Sequence, residues 1–302
     1  MCRKAHPFFS PETIPGSHLN QPIRFLHIPK TAGSTFDECL FILYWRDYLL
    51  GRRFTFTGKP VEDARRYHRL TPATRRRLVI CTGHAPRRTG LAVIDAMPTV
   101  SLLRDPIERV KSFCQHVSEG KSPAIYRRDA AQVFDLDAFL ASGRMQLANF
   151  QTRMLLGDEA YRLPADTHPA LVEKAVAMLE KDLACFGLTE DFDRSLLLFR
   201  QVLGWDQLPL YRTRNSRNPQ ALLNFEPRHL QHIEALNRVD IAVYERARAE
   251  YYRRLEQLQP QLDEDLVLLR AALERPGPIF TVIDIARAAK KKLLALRREE
   301  GN

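Results

Sequence analysis

The sequence predicts an α/β fold, a three-layer arrangement with helices covering both faces of a parallel sheet. Three observations predict it. Short apolar runs alternate along the chain with stretches of helical periodicity, the pattern of strand–helix–strand units. The runs at Ile23 to Ile28, Arg77 to Thr82 and Pro98 to Leu103 suit strands buried on both faces. Each delivers a polar residue (Lys30, His84, Arg104) just past its end, and in open parallel sheets ligands gather at the carboxyl ends of the strands.

Taken in order, residues 1–22 are polar, contain prolines and read as a loose lead-in. The strand Ile23 to Ile28 feeds a helix over Phe36 to Leu50 through Pro29-Lys30-Thr31-Ala32-Gly33-Ser34-Thr35. Gly51 to Arg77, rich in Arg and Lys, reads as loop plus a short polar helix. The strand at Arg77 to Thr82 opens into Gly83-His84, and the strand at Pro98 to Leu103 runs into Arg104-Asp105-Pro106-Ile107-Glu108-Arg109. Asp105 at the cap, Pro106 at the first helical position and Glu108 three residues after the cap start a helix reaching about Val117. Residues 118–143 are polar and read as an excursion over the active face. Helices are expected at Arg144 to Leu156, 168–183 and Asp191 to Leu203, the last capped by Asp191 or Asp193, with a strand at Ala184 to Leu188. Tyr211 to Asn218 is a basic polar loop, followed by helices at 227–236 and 238–257 and a basic helix from Phe280 to Arg298. The organisation expected is a lead-in (1–22), one domain (23–257) and a C-terminal basic helical extension (258–302).

At 302 residues, 45% hydrophobic and 27% charged, the composition is that of a soluble globular protein. A net charge of +10 and a pI of about 9.6 point to acidic partners, among them nucleotides, anionic glycans, anionic lipid and nucleic acid. The five cysteines are scattered without a Cys-x-x-Cys pair, so neither a disulfide framework nor a zinc site is indicated, and a reducing compartment fits. No clustered carboxylates or histidine pairs stand at ligand spacing, and no metal is expected.

The turn from Pro29 to Thr35 has the chemistry of an anion cradle. A strand entering a helix through small residues presents backbone N–H groups and the positive end of the helix dipole. Lys30 adds a mobile point charge, Ser34 and Thr35 add hydroxyls, and Thr31, Ala32 and Gly33 complete the loop. It is not the nucleotide-triphosphatase loop, since the lysine precedes Gly33 and there is no first glycine.

These residues resemble the sulfotransferases that use 3′-phosphoadenosine-5′-phosphosulfate, most closely the branch of the heparan and uronosyl 2-O-sulfotransferases and bacterial relatives. His27 to Thr35 is similar to the family's 5′-phosphosulfate loop. Arg104 to Ser112 is similar to its 3′-phosphate motif, in which an arginine and a serine eight residues later bind the 3′-phosphate. The resemblance covers residues 23–255. It implies a P-loop-like sulfotransferase domain, adenosine 3′,5′-bisphosphate as the product, and a carbohydrate or glycolipid acceptor rather than nucleic acid. It further implies that His84 is the catalytic base, with a carboxylate as the alternative, and that Lys30 is catalytic at the leaving phosphate. Arg214, Asn215 and Arg217 stand where relatives close a segment over the nucleotide. The phrases 149–155 and 186–192 are also typical of the branch. Golgi relatives carry a transmembrane anchor and none is read here, so the expectation is a bacterial, cytoplasmic enzyme.

Other residues carry two readings each. His27 is substrate-side or a hydrogen-bonded structural histidine. Arg87 and Arg88 could hold an anionic acceptor or form a solvated surface. Asn149, Gln151 and Arg153 are neighbours on one expected helix, so at least one is structural. The C-terminal helix could contact a membrane surface through Ile279, Phe280, Val282, Ile283, Ile285 and Leu293, or pack on the domain with its lysines solvated. The rival functions are a nucleotide kinase on a similar scaffold and a non-catalytic basic module that binds nucleotide or nucleic acid. Oligomeric state is not readable from the sequence.

Overall fold

The computed structural model describes residues 21–121, 134–157, 168–212, 222–275 and 280. Its centre is a five-stranded, wholly parallel sheet flanked by helices. In chain order the strands are β1 (Ile23–Leu26), β2 (Arg53–Phe56), β3 (Ile80–Gly83), β4 (Thr99–Leu103) and β5 (Cys185–Leu188), arranged β2-β3-β1-β4-β5. β1 is central, pairing with β3 (Phe25 opposite Thr82) and with β4 (Phe25 opposite Val100). The three strands whose ends carry Lys30, His84 and Arg104 are therefore adjacent, and all three point their carboxyl ends the same way.

The helices are α1 (Gly33–Leu43), α2 (Trp45–Leu49), α3 (Pro60–His68), α4 (Pro72–Arg76), α5 (Ala92–Asp95), α6 (Pro106–Ser118), α7 (Leu136–Leu140), α8 (Phe150–Leu156), α9 (His168–Ala177), α10 (Phe192–Leu203), α11 (Pro227–Leu236), α12 (Arg238–Glu256) and α13 (Gln261–Glu274). The main core joins Ile23, Phe25 and Leu26 of β1 to Phe36 and Leu40 of α1, Phe199 of α10 and Tyr251 of α12. Full burial of one such side chain is worth about 1.5–3 kcal/mol, so the central strand is the best-anchored element. A second cluster (Phe54, Phe56, Tyr67, Ile94) lies beneath the β2 edge, and a third (Val110, Phe113, Phe139, Ile233) joins α6 to α7 and α11. Cys39, Cys81, Cys114 and Cys185 are buried and free, and burial pushes the Cys81 thiol up to about 12, so they serve as small apolar residues.

The fold differs from the expected elements in several places. β2 lies where only loop and polar helix were read; Phe54 and Phe56 are its two buried side chains, between charged flanks. The helix expected at Phe36 to Leu50 begins at Gly33 and breaks at Tyr44 (φ −114°, ψ 27°). The helix expected from Arg144 is a 3₁₀ turn at Met145–Leu147 followed by α8, separated by Asn149 in the left-handed region (φ 46°). Asn149 adopts it because its side chain caps another helix: its Oδ1 accepts from the N–H groups of Val239 and Asp240, both at 3.1 Å. At α10, Asp191 holds the cap position without a side-chain cap bond. α13 was not expected; its Leu262, Leu266 and Leu269 enter the main core.

Candidate active site

The β1–α1 loop is shaped by its backbone. Lys30 (φ 75°) and Ala32 (φ 61°) both lie in the left-handed region, an expensive conformation for side-chain-bearing residues and one that clusters at ligand sites. Thr31 is fully buried between them, its hydroxyl donating to the Ile28 carbonyl at 2.9 Å, so it locks the loop and does not offer that hydroxyl to a ligand. In the first turn of α1, the N–H groups of Thr35 and Phe36 reach back to the Ala32 carbonyl at 2.9 and 3.1 Å. Ala32 caps the helix without a side-chain bond. The N–H groups of Gly33 and Ser34 precede any intrahelical partner and remain for an anion, beside the exposed Ser34 hydroxyl.

Gly33 has a second role. A Cβ there would lie 2.0 Å from Nε2 of His27, so the absent side chain is the space in which the His27 ring sits. That ring stacks on Phe25 at 5.1 Å, and its Nδ1 lies 3.4 Å from Asp37 Oδ2. His27 is 9% exposed and is part of the framework. Its carbonyl orients the next residue of interest, because Nδ1 of His84 lies 2.8 Å from it. A carbonyl can only accept, so Nδ1 of His84 carries the proton and Nε2 is left as the basic nitrogen. Gly83 (φ +118°) makes the turn that puts His84 there, and a Cβ on it would meet the Phe56 carbonyl oxygen at 2.2 Å. His84 is exposed as a residue, but partial desolvation of its ring, with His27 beside it, holds the pKa below its ordinary value.

Arg104 approaches the same loop from β4. Its Nη1 donates to the Lys30 carbonyl at 3.2 Å, while Nη2 stands 4.0 Å from Glu108 Oε2. Asp105 caps α6 by accepting from the Glu108 N–H at 2.9 Å, as its spacing predicts. Glu108 and Ser112 lie one turn apart on one face of α6, the face over which Arg104 leans, and Ser112 is half-buried. His116 follows a further turn along that face. Burial and the nearby Lys30 and Lys121 cations push its pKa down, a proximity that sequence spacing alone did not reveal.

The structure thus gathers Lys30, Thr31, Ala32, Gly33, Ser34, Thr35, His84, Arg104 and Ser112 at one edge of the sheet. Arg214, Asn215 and Arg217 lie outside the described residues, as does the C-terminal basic helix apart from Phe280. Arg87 is tied into the frame, with Nε donating to the Asp182 carbonyl and Nη1 to the Asp95 carbonyl, both at 3.2 Å, whereas Arg88 is exposed. The sequence reading missed Arg24. This β1 side chain, 1% exposed, donates to the carbonyls of Pro86 and Arg87 and to Asp95 Oδ1, pinning the segment that follows His84. Its signal was an arginine inside an otherwise apolar strand.

A parallel sheet whose central strand ends in a loop with free helix-start N–H groups, with a strand-end histidine on one side and a strand-end arginine on the other, defines an α/β domain with an edge suited to an anionic ligand. Comparison with known proteins gives the family. The family model described as Galactose-3-O-sulfotransferase matches residues 4–279, and the chain belongs to that family. It is 28% identical over 252 residues to Galactose-3-O-sulfotransferase 3 of Bos taurus, covering 77% of this chain and 57% of the relative, so the chain spans a little over half of that protein's length. The sulfotransferase resemblance read from the two motifs stands. The family matched is the galactose-3-O one, not the 2-O branch. The expectation of a cytoplasmic enzyme is corrected, since the relative is an animal protein, and the comparison lends no support to a bacterial source. Among the described residues no helix is long and apolar enough to cross a membrane, which defines no compartment.

Proposed function

We propose that this protein transfers the sulfuryl group of 3′-phosphoadenosine-5′-phosphosulfate to a hydroxyl of a carbohydrate acceptor, free or as a glycolipid headgroup. The relative's name makes the 3-hydroxyl of a galactosyl unit the first acceptor to test. The observation that carries the reading is the convergence of three strand ends on one loop: His84 meets the His27 carbonyl, and Arg104 meets the Lys30 carbonyl.

The residues fit such a donor. The Gly33 and Ser34 N–H groups and Lys30 favour a 5′-phosphate, and Arg104 with Ser112 suits a second phosphate contacted by a planar guanidinium and a hydroxyl. His84 accepts the acceptor hydroxyl's proton at Nε2 as the new oxygen–sulfur bond forms. The bond between sulfur and the phosphate oxygen breaks, and Lys30 offsets the charge left on that oxygen. Calorimetric titration tests the donor site. Adenosine 3′,5′-bisphosphate is expected to bind in the micromolar range, far more tightly than ATP, and Arg104→Ala is expected to abolish that advantage. Equal binding of ATP and the bisphosphate would overturn the reading.

A further inference from the structure

We propose that Gln151 is a positioning residue for Arg104, acting with Glu190 to hold the strand-end peptides from which that arginine reaches its phosphate. The proposal rests on the reading of Arg104 as a 3′-phosphate ligand. Where the chain leaves β4 it leaves the sheet ladder, and the peptide groups there need other partners. Gln151 supplies two of them. The Arg104 N–H donates to Gln151 Oε1 at 3.0 Å, and Gln151 Nε2 donates to the Arg104 carbonyl at 2.7 Å. A primary amide suits this because it presents an acceptor and a donor side by side, as a neighbouring strand would. The next N–H, that of Asp105, donates to Glu190 Oε1 at 2.9 Å, and the Tyr244 hydroxyl donates to the other Glu190 oxygen at 2.9 Å. Three successive backbone groups are thereby held by side chains from other elements.

Gln151 is itself fixed. It is 2% exposed, and its N–H donates to Asp240 Oδ2 at 2.9 Å, while the Thr152 N–H donates to Oδ1 of the same carboxylate at 2.8 Å. Asp240 is in turn set by α12, whose start Asn149 caps. An arginine side chain has several rotatable bonds, so its aim depends on a backbone that does not move. Here α8, α12 and the residues after β5 provide that backbone. Such fixing lowers the ordering cost of binding and acts on the ligand that Arg104 touches.

The test compares the full chain with Arg104→Ala, Gln151→Met and Glu190→Ala, titrating adenosine 3′,5′-bisphosphate and adenosine 5′-monophosphate and recording thermal unfolding. Gln151→Met keeps the side-chain length without the amide. It is expected to cut the preference for the bisphosphate at least about tenfold while monophosphate affinity stays within about twofold. Equal loss for both ligands, or a lower melting temperature with the preference intact, would overturn the proposal, because either is what a merely structural glutamine would give. If Gln151→Met does not fold, the exposed Glu190→Ala carries the test, with an expected loss of preference of about threefold, and an unchanged preference overturns it. If Arg104→Ala abolishes the preference while the other two variants keep it, only the positioning role falls. If Arg104→Ala keeps it, the phosphate reading of Arg104 falls as well.

Discussion

His84 shows how a single residue acquires a function from its neighbours. With Nδ1 bound to the His27 carbonyl, only Nε2 can take a proton, and partial desolvation together with His27 lowers the pKa from the ordinary 6.5. In the proposed reaction the neutral ring is the base, so a lowered pKa would extend the active form toward acid pH. Transfer measured as kcat/KM against pH should be level through neutrality and fall on the acid side with its half-point below 6.5. His84→Ala should reduce kcat by about 10²–10⁴ and remove that acid limb. A half-point above 6.5, or an acid limb that survives in the variant, would contradict the assignment. That Lys30, His84 and Arg104 follow the ends of strands was legible in the sequence, because a charged or titratable residue just after an apolar run is a local pattern. Of the two readings of His27 the local ring contacts with Phe25, Gly33 and Asp37 favour the structural one, whereas the framework role of Arg24 and the partner of Gln151 were not legible, because each depends on a contact with residues far along the chain: Asp95 for Arg24 and Arg104 for Gln151.

At the scale of elements, four of the five strands were legible from apolar runs, and the cap at Asp105 from its spacing. β2 was hidden because four residues with two inward phenylalanines give too short a pattern among arginines and lysines. α13 was hidden because its stripe of Leu262, Leu266 and Leu269 follows Pro260 and is interrupted by acidic residues. The break before α8 could not be read either, since Asn149 and Asp240 cap each other's helices across the chain. That reciprocal capping carries a prediction. Asp240 is 1% exposed, holds the Gln151 and Thr152 N–H groups, and lies near the buried Arg109 cation. Asp240→Ala would orphan two donors and leave the guanidinium uncompensated, at a cost of about 3 kcal/mol in urea unfolding. A loss below about 1 kcal/mol would show that α8 is held by packing alone.

The whole molecule combines a net charge of +10 with a candidate anion loop at the end of its central strand. A positive net charge favours acidic ligands in general, and in the proposed function the loop with its two flanking strand ends chooses among them. Fold class, and with it the strand ends at which the candidate site lies, was legible at this scale because alternating strands and helices leave few topologies. The identity of an acceptor was not, because no short motif in the chain specifies one. The most direct measurement follows radiolabelled sulfur from 3′-phosphoadenosine-5′-[³⁵S]phosphosulfate to a β-galactoside, with a matched 3-deoxy galactoside and the His84→Ala protein as controls. Label is expected on the galactoside and none on the 3-deoxy compound, with a rate lowered by about 10²–10⁴ in the variant. Absence of transfer to any of a panel of glycans by a protein that binds the bisphosphate, or full activity in His84→Ala, would contradict the proposed function.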